Sequence, residues 1–190
     1  MTAVPASLRP EAPIGMKYSD GTWNAVAAPN DWGRCVLDIL EDRTGAVLED
    51  TALRHLVWFV PPGGVDGWPT PEPLRLNVYR AGDGLLVPRL NGYRGVNVWL
   101  RTPGANGLFT DPATLRWAIE GVVGPLGEAG GLNPVVVCHF CAIPTRDAQV
   151  IDEWEPFNTG APHVRYACRS CLNATGGDRG HLLDQQKGPR

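Results

Sequence analysis

The chain carries two Cys-x-x-Cys motifs, Cys138-His139-Phe140-Cys141 and Cys168-Arg169-Ser170-Cys171, separated by 26 residues. Each motif can place two sulfurs on one side of a turn, and two such turns complete a tetrahedron around Zn²⁺ with Zn–S distances of about 2.3 Å. Four thiolates leave no open coordination position for a substrate. The pattern therefore predicts a structural zinc site whose ligands are Cys138, Cys141, Cys168 and Cys171.

The segments that lead into the motifs indicate the kind of module. A short β-branched run at 135–137 ends at the first motif, and 163–167 leads into the second in the same way. A strand before each cysteine pair is typical of a zinc ribbon, whereas a helix after the second pair would make a treble clef. Because glycines recur within 176–180, we expect no immediate helix. A zinc-ribbon-like module over residues 132–175 is favoured.

The remainder predicts an α+β, β-rich fold, with a short-stranded antiparallel sheet and one main helix. Apolar runs predict buried strands at Arg34–Leu40 and Leu56–Val60. Alternating apolar and polar residues in 74–101, interrupted by Asp83-Gly84 and Asn91-Gly92 turns, predict a three-stranded antiparallel meander. Pro88 falls in its middle strand, where we expect an irregularity.

The helix is predicted by its two ends. Asp111 can cap free N–H groups, Pro112 fits the first helical position, and Gly124-Pro125 ends the segment. The apolar stripe between these ends consists of Leu115, Ala118, Ile119 and Val122.

Composition sets the domain organisation and the compartment. The 190 residues, 43% of them hydrophobic, fit one body at 21–131 followed by the module, with a flexible arm at 1–20 and a flexible tail at 176–190. There is no apolar run long enough to span a membrane and no signal-peptide pattern at the start. Five cysteines, four of them in metal-binding spacing, favour a reducing cytoplasm. The 15 arginines against two lysines suggest an actinobacterial or phage-like, GC-rich coding bias.

One segment favours a nucleic-acid partner, although the net charge of the whole chain is −3. Residues 74–101 contain five arginines and one aspartate, a net charge of +4. Aromatic rings can stack on bases and arginines can contact phosphates, so a face that combines the two suits single-stranded nucleic acid. The alternative is that this face is covered and its aromatic residues belong to the core. The candidate face is Arg75, Asn77, Tyr79, Asn97, Trp99 and Arg101.

The cysteine spacing also resembles the zinc-braced treble clef of some HNH nucleases. That resemblance implies an Asp-His pair between the cysteine motifs that binds a catalytic divalent ion and activates water. This chain has Asp152-Glu153-Trp154 there, and its next histidine is His163. A nuclease would have to build its site from Asn158, His163, Asn173 and His181. This chain therefore differs from the HNH nucleases at the catalytic residues themselves.

A third alternative is a rubredoxin-like electron carrier, since four thiolates can also hold one iron. The proline inside and the glycine after each pair that are typical of rubredoxin are absent here. The sequence therefore favours a non-catalytic zinc-binding protein that acts by contact with a macromolecule, either nucleic acid or protein. A protein partner would predict an exposed apolar patch near Phe140, Trp154 and Phe157.

Overall fold

A computed structural model describes residues 4–71, 74–90, 95, 97–104, 107–127, 135–154 and 163–174. The chain divides into two compact units, residues 1–134 and 135–190. The sequence had placed the corresponding boundary between residues 131 and 132.

Unit 1 consists of seven strands and two α-helices among its described residues. In chain order they are β1 (Ile14–Tyr18), β2 (Asn24–Pro29), α1 (Asn30–Leu40), β3 (Val47–Asp50), β4 (His55–Val60), β5 (Asn77–Tyr79), β6 (Gly84–Pro88), β7 (Asn97–Arg101) and α2 (Pro112–Val123).

A five-stranded antiparallel sheet in the order β5-β2-β4-β3-β7 organises unit 1. Its central strands β2 and β4 are buried along their whole length, because both faces of the sheet are covered. On one face Trp58 of β4 lies against Gly33 of α1, and α1 packs against α2. On the other face Phe59 of β4 joins a core that includes Trp23 and Leu85. The predicted buried strand at 56–60 is confirmed.

A separate antiparallel pair, β1 with β6, contributes to that second face. Leu85 and Val87 of β6 point into the core, and Leu8, the last residue of a 3₁₀ turn, is buried there with them. Residues 4–20 therefore differ from the expected loose arm: they contain a core side chain and a paired strand.

The predicted strand at Arg34–Leu40 is wrong, because these residues belong to α1. The buried side chains of α1 include Trp32, Val36 and Leu40, spaced four residues apart as a helix face requires. The helix begins at Asn30, four residues before the apolar run from which a strand was predicted. Read from Arg34 alone, a short apolar run does not distinguish the two structures.

The predicted meander is also wrong. β5 pairs with β2, β6 pairs with β1, and β7 pairs with β3, so none of the three strands pairs with another of them. The Asp83-Gly84 turn connects β5 to β6 across different sheets, and residues 91–94, including Asn91-Gly92, lie outside the described residues. The partners β1 and β2 lie in segments where the sequence analysis had placed no strand.

The predicted helix is confirmed as α2. The Asp111 carboxylate accepts a hydrogen bond from the Thr114 N–H at 2.8 Å, Pro112 is the first helical residue and Gly124 is the C-cap. All four residues of the predicted stripe are buried.

Unit 2 contains two antiparallel pairs and one helix among its described residues. They are β8 (Val136–Val137), β9 (Pro144–Thr145), β10 (Ala148–Trp154), β11 (His163–Cys168) and α3 (Arg169–Ala174). β8 pairs with β9 and β10 pairs with β11. The two strands expected before the cysteine motifs are confirmed, but the expectation that no helix follows the second motif is wrong, because α3 begins at Arg169.

In the part of the chain that the structure describes, every helix falls short of the length and apolar character needed to cross a membrane.

Candidate metal centre

The first motif forms the tip of the β8–β9 hairpin. The Cys138 N–H donates to the Ile143 carbonyl at 3.1 Å, and the Ala142 N–H donates back to the Cys138 carbonyl at 2.9 Å. Ala142 closes this turn with a positive φ of 58°. The turn places Cys138 inside the unit and Cys141 on its surface.

The second motif spans the junction of β11 and α3. Cys168 is the last residue of β11 and Cys171 lies in α3. The Cys168 N–H donates to the Cys138 sulfur at 3.3 Å, and the His139 N–H donates to the Tyr166 carbonyl at 2.8 Å. These two hydrogen bonds join the motifs directly.

The four sulfurs converge on one point. The Sγ atoms of Cys138, Cys141, Cys168 and Cys171 all lie within 4.8 Å of one another. The Cys141 and Cys168 sulfurs are 3.8 Å apart. A tetrahedron with Zn–S bonds of about 2.3 Å has edges of about 3.8 Å, whereas a disulfide requires a separation of about 2.05 Å. The cysteines are free thiols, and their spacing fits metal ligation.

The protein environment separates the acidities of these thiols. Burial raises the pKa of the Cys138 thiol, but backbone N–H groups of Cys168, Cys141 and Phe140 hydrogen-bond to its sulfur and lower the pKa to about 6. The pKa of Cys171 is raised to about 12, first by its hydrogen bond with the Cys168 sulfur and then by burial. Cys138 is therefore ready to act as a thiolate ligand, while a metal ion has to displace protons from other members of the cluster.

His139, which lies inside the first motif, is not a member of the four-sulfur cluster. His139 is exposed, and its ring lies edge-on to Phe140 with centroids 5.3 Å apart. His163 is the first residue of β11, and its side chain lies outside the described part of the chain, as does all of His181.

The acidic residue of the nuclease alternative is engaged elsewhere. Asp152 on β10 lies opposite Arg165 on β11, and the carboxylate is 3.7 Å from the guanidinium. The same guanidinium lies over the Trp154 ring, 4.6 Å from its centroid. Asn173 is in α3, whereas Asn158 lies outside the described residues. Asp152 is thus bound to a cation supplied by its own hairpin.

The six-residue candidate face is not brought together as one surface. Its β5 members, Asn77 and Tyr79, lie at one edge of the five-stranded sheet, and its β7 members lie at the opposite edge. Four strand spacings of about 4.8 Å separate these edges. Arg75 lies outside the strands, with its guanidinium 3.5 Å from the Asp31 carboxylate.

The β7 members are largely committed to the fold. Asn97 is buried, and its side-chain amide donates to the Leu86 carbonyl. The Trp99 ring packs against Phe59 with centroids 5.6 Å apart, and its N–H donates to the Pro88 carbonyl at 3.0 Å. The Arg101 guanidinium is 3.7 Å from Asp42. This outcome corresponds to the alternative in which the aromatic residues serve the core.

Several exposed apolar side chains of unit 2 were not predicted from the sequence. Phe140, which was considered, is 41% exposed, and its neighbours Val137 and Ile143 are 41% and 61% exposed. Val150 on β10 is 49% exposed. The signal was the alternation of β8, in which Val136 points inward, so that Val137 must point outward.

Comparison with protein-family models, curated proteins and solved structures finds no match to this chain.

Proposed function

We propose that the chain is a non-catalytic zinc-binding protein in which a structural Zn²⁺ held by Cys138, Cys141, Cys168 and Cys171 stabilises a protein-binding module. The observation that carries the proposal is the convergence of four sulfurs within 4.8 Å, with one pair separated by the edge length of a zinc–thiolate tetrahedron. Four cysteine ligands close the coordination sphere, so the ion has a structural role and no position for substrate.

The elements of unit 2 favour a treble clef over the zinc ribbon. A hairpin carries the first cysteine pair at its tip, a second hairpin follows, and the second pair enters the first turn of α3. A ribbon would hold the second pair in another hairpin turn. This module has little core of its own, because its buried apolar residues among those described are Val136, Cys138 and Ala167. Zinc–thiolate bonds supply on the order of 10 kcal/mol of folding free energy in isolated zinc peptides, which is enough to replace a core of that size.

A protein is the partner that the surface of unit 2 favours. Apolar side chains surround the first motif, while Arg165 and Arg169 are each paired with an aspartate, at 3.7 Å and 3.1 Å. Residues 138–190 carry six acidic and six basic residues, so four thiolates with one Zn²⁺ would give this segment a charge of about −2. A segment with this net charge does not attract a phosphate backbone.

The metal is tested by elemental analysis of the full chain. We expect one equivalent of zinc, lost in Cys141→Ser and retained in the matched variant Cys35→Ser, because Cys35 lies on α1 in the other unit. Substitution with Co²⁺ should give the spectrum of a tetrahedral thiolate site. Bound iron, or zinc that is retained in Cys141→Ser, would contradict the proposal.

The mode of action is tested separately, on the zinc-loaded chain. We expect no binding to single- or double-stranded nucleic acid at low salt and no Mg²⁺-dependent cleavage. A protein captured from the host by the wild type should be released by Ile143→Ser with Val150→Ser, and retained by the control Leu53→Ser, which removes an exposed leucine of unit 1. Salt-dependent nucleic-acid binding, or cleavage lost in Asp152→Asn, would contradict this part.

A further inference from the structure

We infer that β1 is a self-association edge, at which two copies of the chain join their sheets about a two-fold axis through Met16. Among the described residues β1 has one strand partner, β6, and its other edge is open. This inference concerns unit 1 and is independent of the metal site.

The hydrogen-bond register identifies which groups point outward. The Arg89 N–H donates to the Pro13 carbonyl at 2.8 Å, and the Ser19 N–H donates to the Asp83 carbonyl at 2.9 Å. Residues alternate between bonded and non-bonded positions in an antiparallel pair, so Gly15 and Lys17 bond to β6. The backbone groups of Ile14, Met16 and Tyr18 therefore point away from β6 and form the open edge.

The side chains along this edge are apolar and exposed. Met16 is 51% exposed and Tyr18 is 63% exposed. Both lie over Gly84, where an added Cβ would be 2.9 Å from the Tyr18 ring and 3.1 Å from the Met16 sulfur, so they share one face of β1. Unpaired backbone groups beside exposed apolar side chains form a template for pairing with another strand.

The pattern of β1 fits a second copy of itself. If Met16 lies opposite Met16 of the other copy, Ile14 lies opposite Tyr18, and every outward N–H and C=O of these residues gains a partner. Opposed residues share a face, so the apolar side chains form one continuous surface. Lys17 then lies opposite Gly15 rather than opposite its own copy. A register centred on Lys17 would place two like charges opposite each other and leave Ile14 unpaired.

The association is tested by sedimentation of the zinc-loaded full chain between about 1 μM and about 1 mM, the range of weak self-association. We expect the average mass to rise with concentration towards twice 20.5 kDa. Met16→Lys places like charges at the two-fold axis, and Met16→Pro removes the central outward N–H; each should weaken the dimer at least tenfold. Leu53→Lys, which adds the same charge at an exposed leucine in a turn, should leave it unchanged.

Hydrogen exchange identifies the surface. The amides of Met16 and Tyr18 should exchange at least tenfold more slowly in the concentrated sample, while the amides of Gly15 and Lys17 stay protected at both concentrations. Circular dichroism verifies that the variants fold, since neither Met16 substitution removes a β1–β6 hydrogen bond. A monomer throughout the range, a dimer that both Met16 variants retain, or a dimer without added protection at Met16 overturns the inference.

Discussion

Gly45 lies close against the backbone of the segment that precedes α2. Its N–H donates to the Thr110 hydroxyl at 3.0 Å, and the next N–H, of Ala46, donates to the Leu108 carbonyl at 3.0 Å. A Cβ at position 45 would lie 2.6 Å from that carbonyl oxygen. Since the opposing atoms belong to the backbone, they can yield only by moving the segment that precedes α2.

We therefore expect Gly45→Ala to lower the free energy of unfolding by about 1–3 kcal/mol, the usual cost of overpacking. Gly121→Ala is the matched control with the opposite sign, because the residue is inside α2 and a Cβ added there would meet nothing within 4 Å apart from the adjacent backbone of its own helix. This variant should have a free energy of unfolding about 0.5–1 kcal/mol higher than that of the wild type. Urea denaturation measures both, and equal midpoints for the two variants would contradict the argument.

Asp111 couples helix capping to pH. The Thr114 hydroxyl and N–H hydrogen-bond to its carboxylate and hold the pKa of Asp111 below its ordinary value of 3.8. A carboxyl group with a lower pKa in the folded state stabilises the fold above pH 3.8 and loses that contribution as the pH falls through the folded value. Asp111→Ala should lower the free energy of unfolding by about 1 kcal/mol at neutral pH, and the difference from the wild type should become smaller in acid.

Asp111→Asn separates the cap from the charge. It keeps a side-chain oxygen acceptor, so most of the neutral-pH stability should remain, and the contribution from this position should no longer vary around pH 3.8. Thermal unfolding of the three proteins at several pH values gives the comparison. An alanine variant whose deficit is the same in acid as at neutral pH would rule out the ionised cap.

At the scale of elements, side chains rather than a backbone ladder connect β7 to β6. Asn97 donates to the Leu86 carbonyl and the Trp99 N–H donates to the Pro88 carbonyl, so two outward carbonyls of β6 are satisfied from the neighbouring sheet. Because a buried carbonyl without a donor costs about 1–3 kcal/mol, Asn97→Ala should destabilise by that amount.

Trp99→Phe provides a finer test of the same connection. It removes the N–H while keeping a ring against Phe59, and should cost about 1 kcal/mol. Asn77→Ala is the control, since Asn77 is an exposed asparagine on β5 and its loss should change stability by less than about 0.5 kcal/mol. If the Asn77 and Asn97 variants unfold at the same urea concentration, the connection contributes nothing.

The elements that could be predicted from sequence are those whose signals are local. Short stretches of sequence were sufficient to predict three features: the capped ends of α2, the apolar run of β4 and the strands before the cysteine motifs. The sheet order was not, because β2 is alanine-rich and its assignment depends on burial between β4 and β5, which lie far apart in sequence. Strand preference reflects such packing more than intrinsic propensity.

At the scale of the whole molecule, the difference between local and long-range signals also explains why the metal site could be predicted and the candidate nucleic-acid face could not. The cysteine spacing predicts the cluster because each motif folds as a local turn, and the two turns are then joined by hydrogen bonds such as that from the Cys168 N–H to the Cys138 sulfur. The candidate face required β5 and β7 to be neighbours. The sheet places them at opposite edges, so the alternating pattern was compatible with a strand but could not identify its neighbour.

The two units should also differ in what holds them folded. Unit 1 has a core with large buried side chains such as Trp23, Trp58 and Phe59, whereas the described part of unit 2 buries few apolar residues. If zinc replaces that core, a strong chelator should make residues 135–174 sensitive to protease while the fragments of unit 1 stay resistant. Mass mapping of the fragments and circular dichroism provide the measurement.

Zn²⁺ should restore the resistance and Mg²⁺ should not, because thiolates are poor ligands for a hard cation that prefers oxygen. Cys141→Ser should show the cleavage pattern of the chelated protein without chelator, and Cys35→Ser should respond as the wild type does. Protease patterns that chelation leaves unchanged at equilibrium would mean that the few buried residues of unit 2 suffice to fold it, and that the four sulfurs converge for another reason.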